Sequence, residues 1–95
     1  MINAKLELVK HIEGRKVKYV CILYRPDYNT ERVIEGALVD VLPLLDFDYD
    51  EGFGGQEIFG FIWYADGTWS EREEYDGSEW WDHKVCPEIP EKKEN

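Results

Sequence analysis

The chain contains 95 residues, with 21 acidic and 11 basic side chains and a formal net charge of −10 at pH 7. Its length favours one domain with a single core, and a hydrophobic content of 43% argues against a wholly disordered chain. The acidic excess argues against direct binding to nucleic acid or to anionic membrane surfaces, and favours basic protein surfaces or cations as partners.

The charge is unevenly distributed along the chain. Residues 1–45 hold seven Lys/Arg and six Asp/Glu, a net charge of +1, whereas residues 46–95 hold four and fifteen, a net charge of −11. The second half also contains eleven of the fourteen aromatic residues. Two interpretations stay open: the acidic half is an interaction surface, or its charge keeps an aromatic-rich protein in solution.

The sequence shows no pattern of a membrane span or a secretory signal. The two cysteines, Cys21 and Cys86, have neither disulfide-scaffold nor metal-type spacing. We therefore predict a cytoplasmic protein without membrane association or cofactor. Residues 1–90 are expected to form a single domain and residues 91–95 a frayed charged tail. No pattern in the sequence indicates an oligomeric state.

The chain begins with a predicted helix. Asn3 is its expected N-cap. The helix is predicted to end at Glu13, with Gly14 as the residue that stops it. Leu6, Val9 and Ile12 recur at helical spacing, so we expect them on the buried stripe of this helix, with Leu8 beside Ile12.

A strand and a second helical segment are predicted next. Hydrophobic residues of 16–24 alternate and then occupy both faces, which is typical of a strand that becomes buried on both sides. Residues 32–35 are a candidate short strand. Residues 37–45 are typical of a short helix, although Pro43 argues against an uninterrupted one.

The clearest pattern lies in residues 56–86. Residues 56–65 are apolar on both faces, which is typical of a central strand, and two further strand patterns follow at 68–75 and 78–86. The predicted fold is therefore α+β, with an N-terminal helix, one or two strands, a short helix and a C-terminal antiparallel three-stranded meander.

Two turns fix the expected register of this meander. Asp66-Gly67 and Asp76-Gly77 are typical of two-residue type I′ hairpin loops, because both central positions need positive φ. These loops would place Phe61, Arg72 and Trp81 in one row across the sheet, where the guanidinium could contact both rings.

The predicted meander would carry a dense set of carboxylates beside tryptophans. Carboxylates two residues apart on one strand face are about 6.6 Å apart, and neighbouring strands about 4.8 Å, a charge density of the order of a nucleic-acid backbone. Tryptophan is a frequent anchor of protein interfaces. We predict a partner-binding surface formed by Glu71, Glu73, Glu74, Asp76, Glu79, Trp80 and Asp82.

A weaker candidate is a calcium site. Asp46, Asp48, Asp50 and Glu57 have the spacing of positions one, three, five and twelve of an EF-hand loop. Glu51 occupies the sixth position, where the loop requires glycine, and a strand is predicted to follow where the motif needs a helix. A calcium-binding module is therefore an alternative, and we favour an alternating strand followed by a glycine loop, without a metal.

Catalytic patterns are weak. His83 could lie beside Ser70 in the predicted meander, which leaves a small hydrolase or ligand-binding domain as a further alternative. No pattern indicates a cleft in which two carboxylates would titrate apart, as general acid–base catalysis requires. We predict no catalytic residues and a non-enzymatic protein.

Three segments of the second half, 54–69, 74–81 and 86–90, resemble small acidic proteins encoded in tailed-phage and prophage genomes. The likeness extends over roughly residues 44–90 and supplies no catalytic or ligand residues. It implies an accessory factor that acts on host machinery, a class that includes inhibitors of host defence that imitate nucleic acid. Together with the acidic half, it predicts an accessory protein that binds a basic, nucleic-acid-binding host protein, with nucleic-acid mimicry as its specific form.

Overall fold

Strands dominate the part of the chain that the structure describes. A computed structural model of the protein describes residues 1–50 and 55–87. In chain order the elements are β1 (Ile2–Asn3), α1 (Ala4–Ile12), β2 (Val17–Asp27), β3 (Thr30–Gly36), α2 (Leu38–Val41), a 3₁₀ helix (Leu42–Leu45), β4 (Asp48–Tyr49), β5 (Ile58–Tyr64), β6 (Trp69–Tyr75) and β7 (Ser78–Lys84). The predicted tail at 91–95 lies outside the described residues. None of the described helices is long and apolar enough to span a membrane.

Five of the strands form one antiparallel sheet in the order β3-β2-β5-β6-β7. β5 is the central strand, which confirms the position predicted from its apolar residues on both faces. β1 and β4 form a separate two-stranded ribbon, in which Ile2 pairs with Tyr49. Buried residues of both helices, the 3₁₀ helix and β4 share one core with the sheet, so these elements cover one of its faces.

The predicted fold class is wrong. The sequence predicted an α+β fold that ends in a three-stranded meander, whereas the described chain is mostly β, with two short helices and a five-stranded antiparallel sheet. β5 also pairs with β2, from Val17↔Tyr64 to Tyr24↔Ile58, so β5, β6 and β7 are not a separate meander. Turn patterns identify strands that follow each other in sequence, and β2 and β5 do not.

The turn between β5 and β6 differs from its prediction. Gly67 has a φ of 89°, but Asp66 is not among the residues with positive φ. The Tyr64 N–H donates to the Thr68 carbonyl at 3.0 Å, and the Gly67 N–H donates to the Tyr64 carbonyl at 3.2 Å. This geometry is a three-residue loop with a type I turn and a left-handed glycine. The longer loop shifts the register by one residue.

The register shift changes the neighbours of Arg72 on β6. Phe61 lies opposite Glu71 and not opposite Arg72. In the second hairpin Asp76 and Gly77 have φ angles of 52° and 88°, as a type I′ turn requires. Arg72 therefore lies opposite Trp81 as predicted, so only the first of the two predicted registers is wrong.

The N-terminal helix buries a different stripe from the predicted one. Ala4, Leu8 and Ile12 are buried, whereas Leu6 and Val9 are exposed. The buried residues recur every four positions, as expected when one row of a helix packs against a neighbouring layer. Of the predicted stripe, only Ile12 belongs to the core.

The predicted N-cap of the first helix and the predicted break at Pro43 are both confirmed. The Asn3 side chain accepts the N–H of Leu6 at 3.0 Å and caps α1. Glu13, in a left-handed conformation, closes the helix before Gly14. Pro43 lies in the 3₁₀ helix that replaces the α-helix after Val41, because proline lacks the N–H that a continued α-helix needs.

Candidate binding face of the sheet

One face of the sheet has no element packed on it among the described residues. Side chains alternate along each strand, and those that point away from the core remain half-buried or exposed. We call this side the open face. Its members are Tyr19, Cys21, Leu23, Val33, Glu35, Phe59, Phe61, Trp63, Trp69, Glu71, Glu73, Trp80, Asp82 and Lys84.

Four rings form a contiguous group on the open face, which we call the aromatic platform: Tyr19, Phe61, Trp63 and Trp69. The Trp63 ring lies 5.9 Å from Tyr19 and 5.6 Å from Phe61, measured between ring centroids. Trp69 lies directly opposite Trp63 on the next strand. Trp63 is 39% exposed and Phe61 42%, so the central strand presents large apolar rings to solvent.

Carboxylates hold the polar edges of two platform rings. The Tyr19 hydroxyl donates to Glu35 Oε1 at 2.7 Å, and this hydrogen bond raises the pKa of Tyr19. The Trp69 Nε1–H donates to Glu71 Oε2 at 2.8 Å. The rings are therefore fixed in orientation, and each has a carboxylate beside it.

The β6 and β7 side of the open face is acidic. Glu71 lies directly opposite Asp82, a pairing of like charges that is unfavourable without a counterion. The Lys84 Nζ lies 2.9 Å from Glu73 and 3.3 Å from Asp82, and these two contacts raise the pKa of Lys84. This lysine offsets part of the repulsion and leaves carboxylates in excess.

The structure brings some of the predicted partner-binding residues together and separates others. Glu71, Glu73, Trp80 and Asp82 lie on the open face. Glu74 and Asp76 lie at the β6–β7 turn, where Glu74 Oε2 accepts the Gly77 N–H at 3.0 Å. Glu79 is only 5% exposed and lies on the opposite face.

Glu79 belongs to a buried ion pair that the sequence patterns did not reveal. Its Oε1 lies 3.0 Å from Nη2 of Arg72, and both side chains are fully buried. The carboxylate also accepts the N–H groups of Glu57 and Ile58 at 2.8 and 3.1 Å. The sequence did contain a signal for the burial of Glu79. Glu79 and Trp81 are two positions apart on one strand, so they lie on the same side of the sheet. Burial of the tryptophan therefore indicates burial of the glutamate.

Arg72 makes further contacts inside the core. Its Nη2 donates to the Tyr49 hydroxyl, and its Nη1 lies 3.1 Å from Glu7. The predicted contact with Trp81 is present at 5.2 Å from the ring centroid, and Tyr49 takes the place expected for Phe61. Burial, together with a hydrogen bond to Glu7, raises the pKa of Tyr49.

Ser70 and His83 are neighbours but not hydrogen-bond partners. They lie opposite each other in the β6–β7 register, yet the Ser70 hydroxyl is within 2.8 Å of His11 Nε2 and 2.7 Å of the Tyr64 hydroxyl. His83 Nε2 lies 3.0 Å from the Thr68 hydroxyl. Ser70 is 0% exposed, so this arrangement does not present the serine to a substrate.

The candidate calcium ligands separate into two pairs. The Asn3 side-chain amide donates to Asp46 at 3.0 Å and to Asp48 at 3.4 Å. Glu57 accepts a hydrogen bond from the Asp50 backbone, while burial and the charge of Glu79 raise the Glu57 pKa. The described residues contain no group of three or more potential ligands that could hold a metal ion. Part of the candidate loop lies outside the described residues.

Comparisons with known proteins identify no family for this chain. No protein-family model, no curated protein and no solved structure matches it. The resemblance to tailed-phage proteins stays a prediction, and the function is argued from the geometry of the open face.

Proposed function

We propose that this chain is a non-enzymatic accessory protein that binds a positively charged surface of another protein through the open face of its sheet. The observation that carries the proposal is the aromatic platform on the central strand, with carboxylates fixed at its edges. Contiguous exposed apolar surface with a polar rim is typical of interaction sites. Tryptophan, tyrosine and phenylalanine are the residue types enriched at such sites.

The side chains of β5 are apolar on both faces of the sheet, which supports a second cover on the open face. Its inward residues Ile58, Ile62 and Tyr64 are buried, and its outward residues Phe61 and Trp63 are equally apolar. Strands that are apolar on both faces are typical of sheets covered on both sides. In this protein the second cover is expected to come from the partner.

Charge favours a basic partner over a second copy of the chain. The open face carries four carboxylates and one lysine, and the whole chain has a net charge of −10. Two open faces packed together would place their carboxylates against each other, which is unfavourable. A cationic surface is attracted to the same carboxylates, and the attraction accelerates encounter at low salt.

The partner class is proposed to be a basic, nucleic-acid-binding host protein in the cytoplasm, as the sequence and its resemblance favour. Mimicry of a regular phosphate array is not part of this proposal. Lys84 neutralises part of the acidic side through Glu73 and Asp82, and Glu79 is buried. The proposed face therefore combines aromatic contact with charge attraction.

Affinity capture from a bacterial lysate tests the proposal when it is combined with matched variants. The immobilised proteins are wild type, Phe61→Thr on the platform, and Tyr28→Thr, whose ring is fully exposed at the β2–β3 turn. We expect basic proteins to be retained by wild type and Tyr28→Thr, lost with Phe61→Thr, and released as salt rises. Retention of the same proteins by all three variants, or of proteins that are not basic, would overturn the proposal.

Sedimentation of the purified chain tests the alternative that a second copy of the chain covers the open face. The proposal predicts that the isolated chain does not self-associate through the open face. A dimer that Phe61→Thr converts to a monomer, while Tyr28→Thr leaves it intact, would show that a second copy covers this face and would overturn the proposal.

A further inference from the structure

The arginines of this chain share one kind of contact. Arg15, Arg25, Arg32 and Arg72 each lie over at least one aromatic ring, with guanidinium carbons between 5.2 and 6.0 Å from ring centroids. These four are all the arginines in the sequence. Such contacts combine electrostatic attraction to the ring face with stacking of a planar group.

Arg25 shows this geometry at the edge of the open face, on its member Phe59. Its guanidinium carbon lies 5.5 Å from the centroid of Phe59, while its Nη2 lies 3.1 Å from Glu31 Oε1. A single guanidinium thus covers a ring and binds a carboxylate beside it. The combination is possible because the N–H groups of arginine point outward around the edge of the planar guanidinium, so that its face is free to contact a ring.

The aromatic platform also combines an aromatic ring with a neighbouring carboxylate, as Phe59 and Glu31 do around Arg25. Among the described residues, the guanidinium–ring contacts involve other rings and not the four of the platform. Trp63 lies between Tyr19 and Phe61, and Glu71 is held beside the platform by Trp69. An ionised carboxylate has about four lone-pair sites, so Glu71 can accept further hydrogen bonds.

We infer that the aromatic platform selects arginine over lysine in the bound partner, with a guanidinium stacked on Trp63 and hydrogen-bonded to a neighbouring carboxylate such as Glu71. The inference rests on the proposed function and specifies the chemistry of its partner. Lysine carries a compact, strongly hydrated charge that cannot lie flat on a ring while it donates to a carboxylate at the ring's edge. Two of the four rings, Tyr19 and Trp69, are already oriented by hydrogen bonds to carboxylates, so ordering of these two does not oppose binding.

A pair of synthetic peptides tests the inference. The two have the same length, charge and spacing and differ only in carrying arginine or lysine at the charged positions. Titration calorimetry with wild type is expected to give a preference for the arginine peptide by a factor of about two to five, because an exposed guanidinium–ring contact contributes a factor of that size. Trp63→Thr is expected to remove the preference, and Tyr28→Thr to leave it unchanged.

Indole N–H resonances of the wild-type protein provide a readout that does not depend on the folding of a variant. We expect the arginine peptide to shift the signals of Trp63 and Trp69, which lie on the platform. The signal of Trp81, only 7% exposed on the other face, is the internal reference and should not move.

The outcomes separate this inference from the proposed function. Equal affinity for both peptides, weakened for both by Glu71→Gln but not by Asp40→Asn on the exposed side of α2, overturns arginine selection and leaves the proposed function standing. Absence of binding to either peptide, or binding that no open-face substitution changes, overturns both. An arginine preference that Trp63→Thr retains also overturns the inference.

Discussion

Arg72 joins four elements of the fold through one guanidinium. It lies on β6 and contacts Glu79 on β7, Glu7 on α1 and Tyr49 on β4. The side chains of Arg72 and Glu79 have no exposed surface. Because both charges are removed from water, loss of either partner leaves the other buried without compensation.

Replacing Arg72 is therefore expected to destabilise the protein strongly. Arg72→Met should lower the free energy of unfolding by about 3–5 kcal/mol, as measured by urea denaturation. The matched control is Arg25→Met, which breaks an exposed ion pair with Glu31 and should lower it by about 1 kcal/mol or less. Similar losses in the two variants would contradict the structural role assigned to Arg72.

His11 is a half-buried polar residue whose protonation has a measurable consequence for stability. Burial lowers its pKa, and the nearby charges of Arg15 and His83 lower it further. In the neutral form its Nε2 can accept the Ser70 hydroxyl hydrogen. Because burial disfavours the charged imidazolium, the folded state binds the proton less readily than the unfolded chain does.

The sign of the pH effect follows from this lowered pKa. The stability linked to His11 is fully present above its unfolded value of about 6.5 and is lost as pH falls through the lower folded pKa. His11→Gln should flatten the decline in the free energy of unfolding below about pH 6.5. Urea denaturation at pH 8 and across this acidic range measures it, and an equally steep decline in the variant would contradict the assignment.

At the scale of the elements, the two hairpins show why identical turn residues were not enough. Asp66-Gly67 and Asp76-Gly77 predict the same type I′ turn, but only the second adopts it. Asp66 Oδ1 accepts both the N–H and the hydroxyl hydrogen of Thr68, at 2.9 and 2.6 Å. These hydrogen bonds lower the Asp66 pKa and stabilise the three-residue loop. Side-chain bonding two residues ahead competes with the backbone turn.

The pairing of β2 with β5 is expected to depend on Gly60. A Cβ at this position would lie 2.2 Å from the Cys21 carbonyl oxygen and 2.9 Å from the Ile22 Cα, and its φ is 148°. The β2 backbone therefore occupies the space that a side chain at Gly60 would need. The sequence showed the glycine but not the strand that approaches it.

Gly60→Ala is accordingly expected to separate the two strands locally. We expect a loss of about 2 kcal/mol or more in the free energy of unfolding, because overpacking against backbone adds to an unfavourable φ. Gly55→Ala is the control, since a Cβ there meets none of the described residues within 4 Å, and it should stay within about 0.5 kcal/mol of wild type. Equal stability of the two variants would show that the sheet tolerates a side chain at Gly60.

At the scale of the whole molecule, the sequence identified most strands and the acidic half but not the open face. Local alternation predicted strands with two faces at β5 through β7, but it did not tell which face is inward, and Glu79, predicted at the binding surface, is buried. The aromatic platform also needs Tyr19 of β2 beside Trp63 of β5, a pairing that joins distant segments and includes a bulge between Val17 and Tyr19. The burial of Glu79 depends on Arg72 and Glu7, which different elements supply.

The central claim is that the open face exists for binding and not for folding. Its most direct test measures stability and peptide affinity on the same Phe61→Thr protein. Since Phe61 is 42% exposed and threonine suits a strand, we predict a change of less than about 1 kcal/mol in the free energy of unfolding and a loss of affinity for the arginine peptide by a factor of about two to five. A variant that keeps full affinity, or one that unfolds because Phe61 was needed by the fold, would contradict the claim.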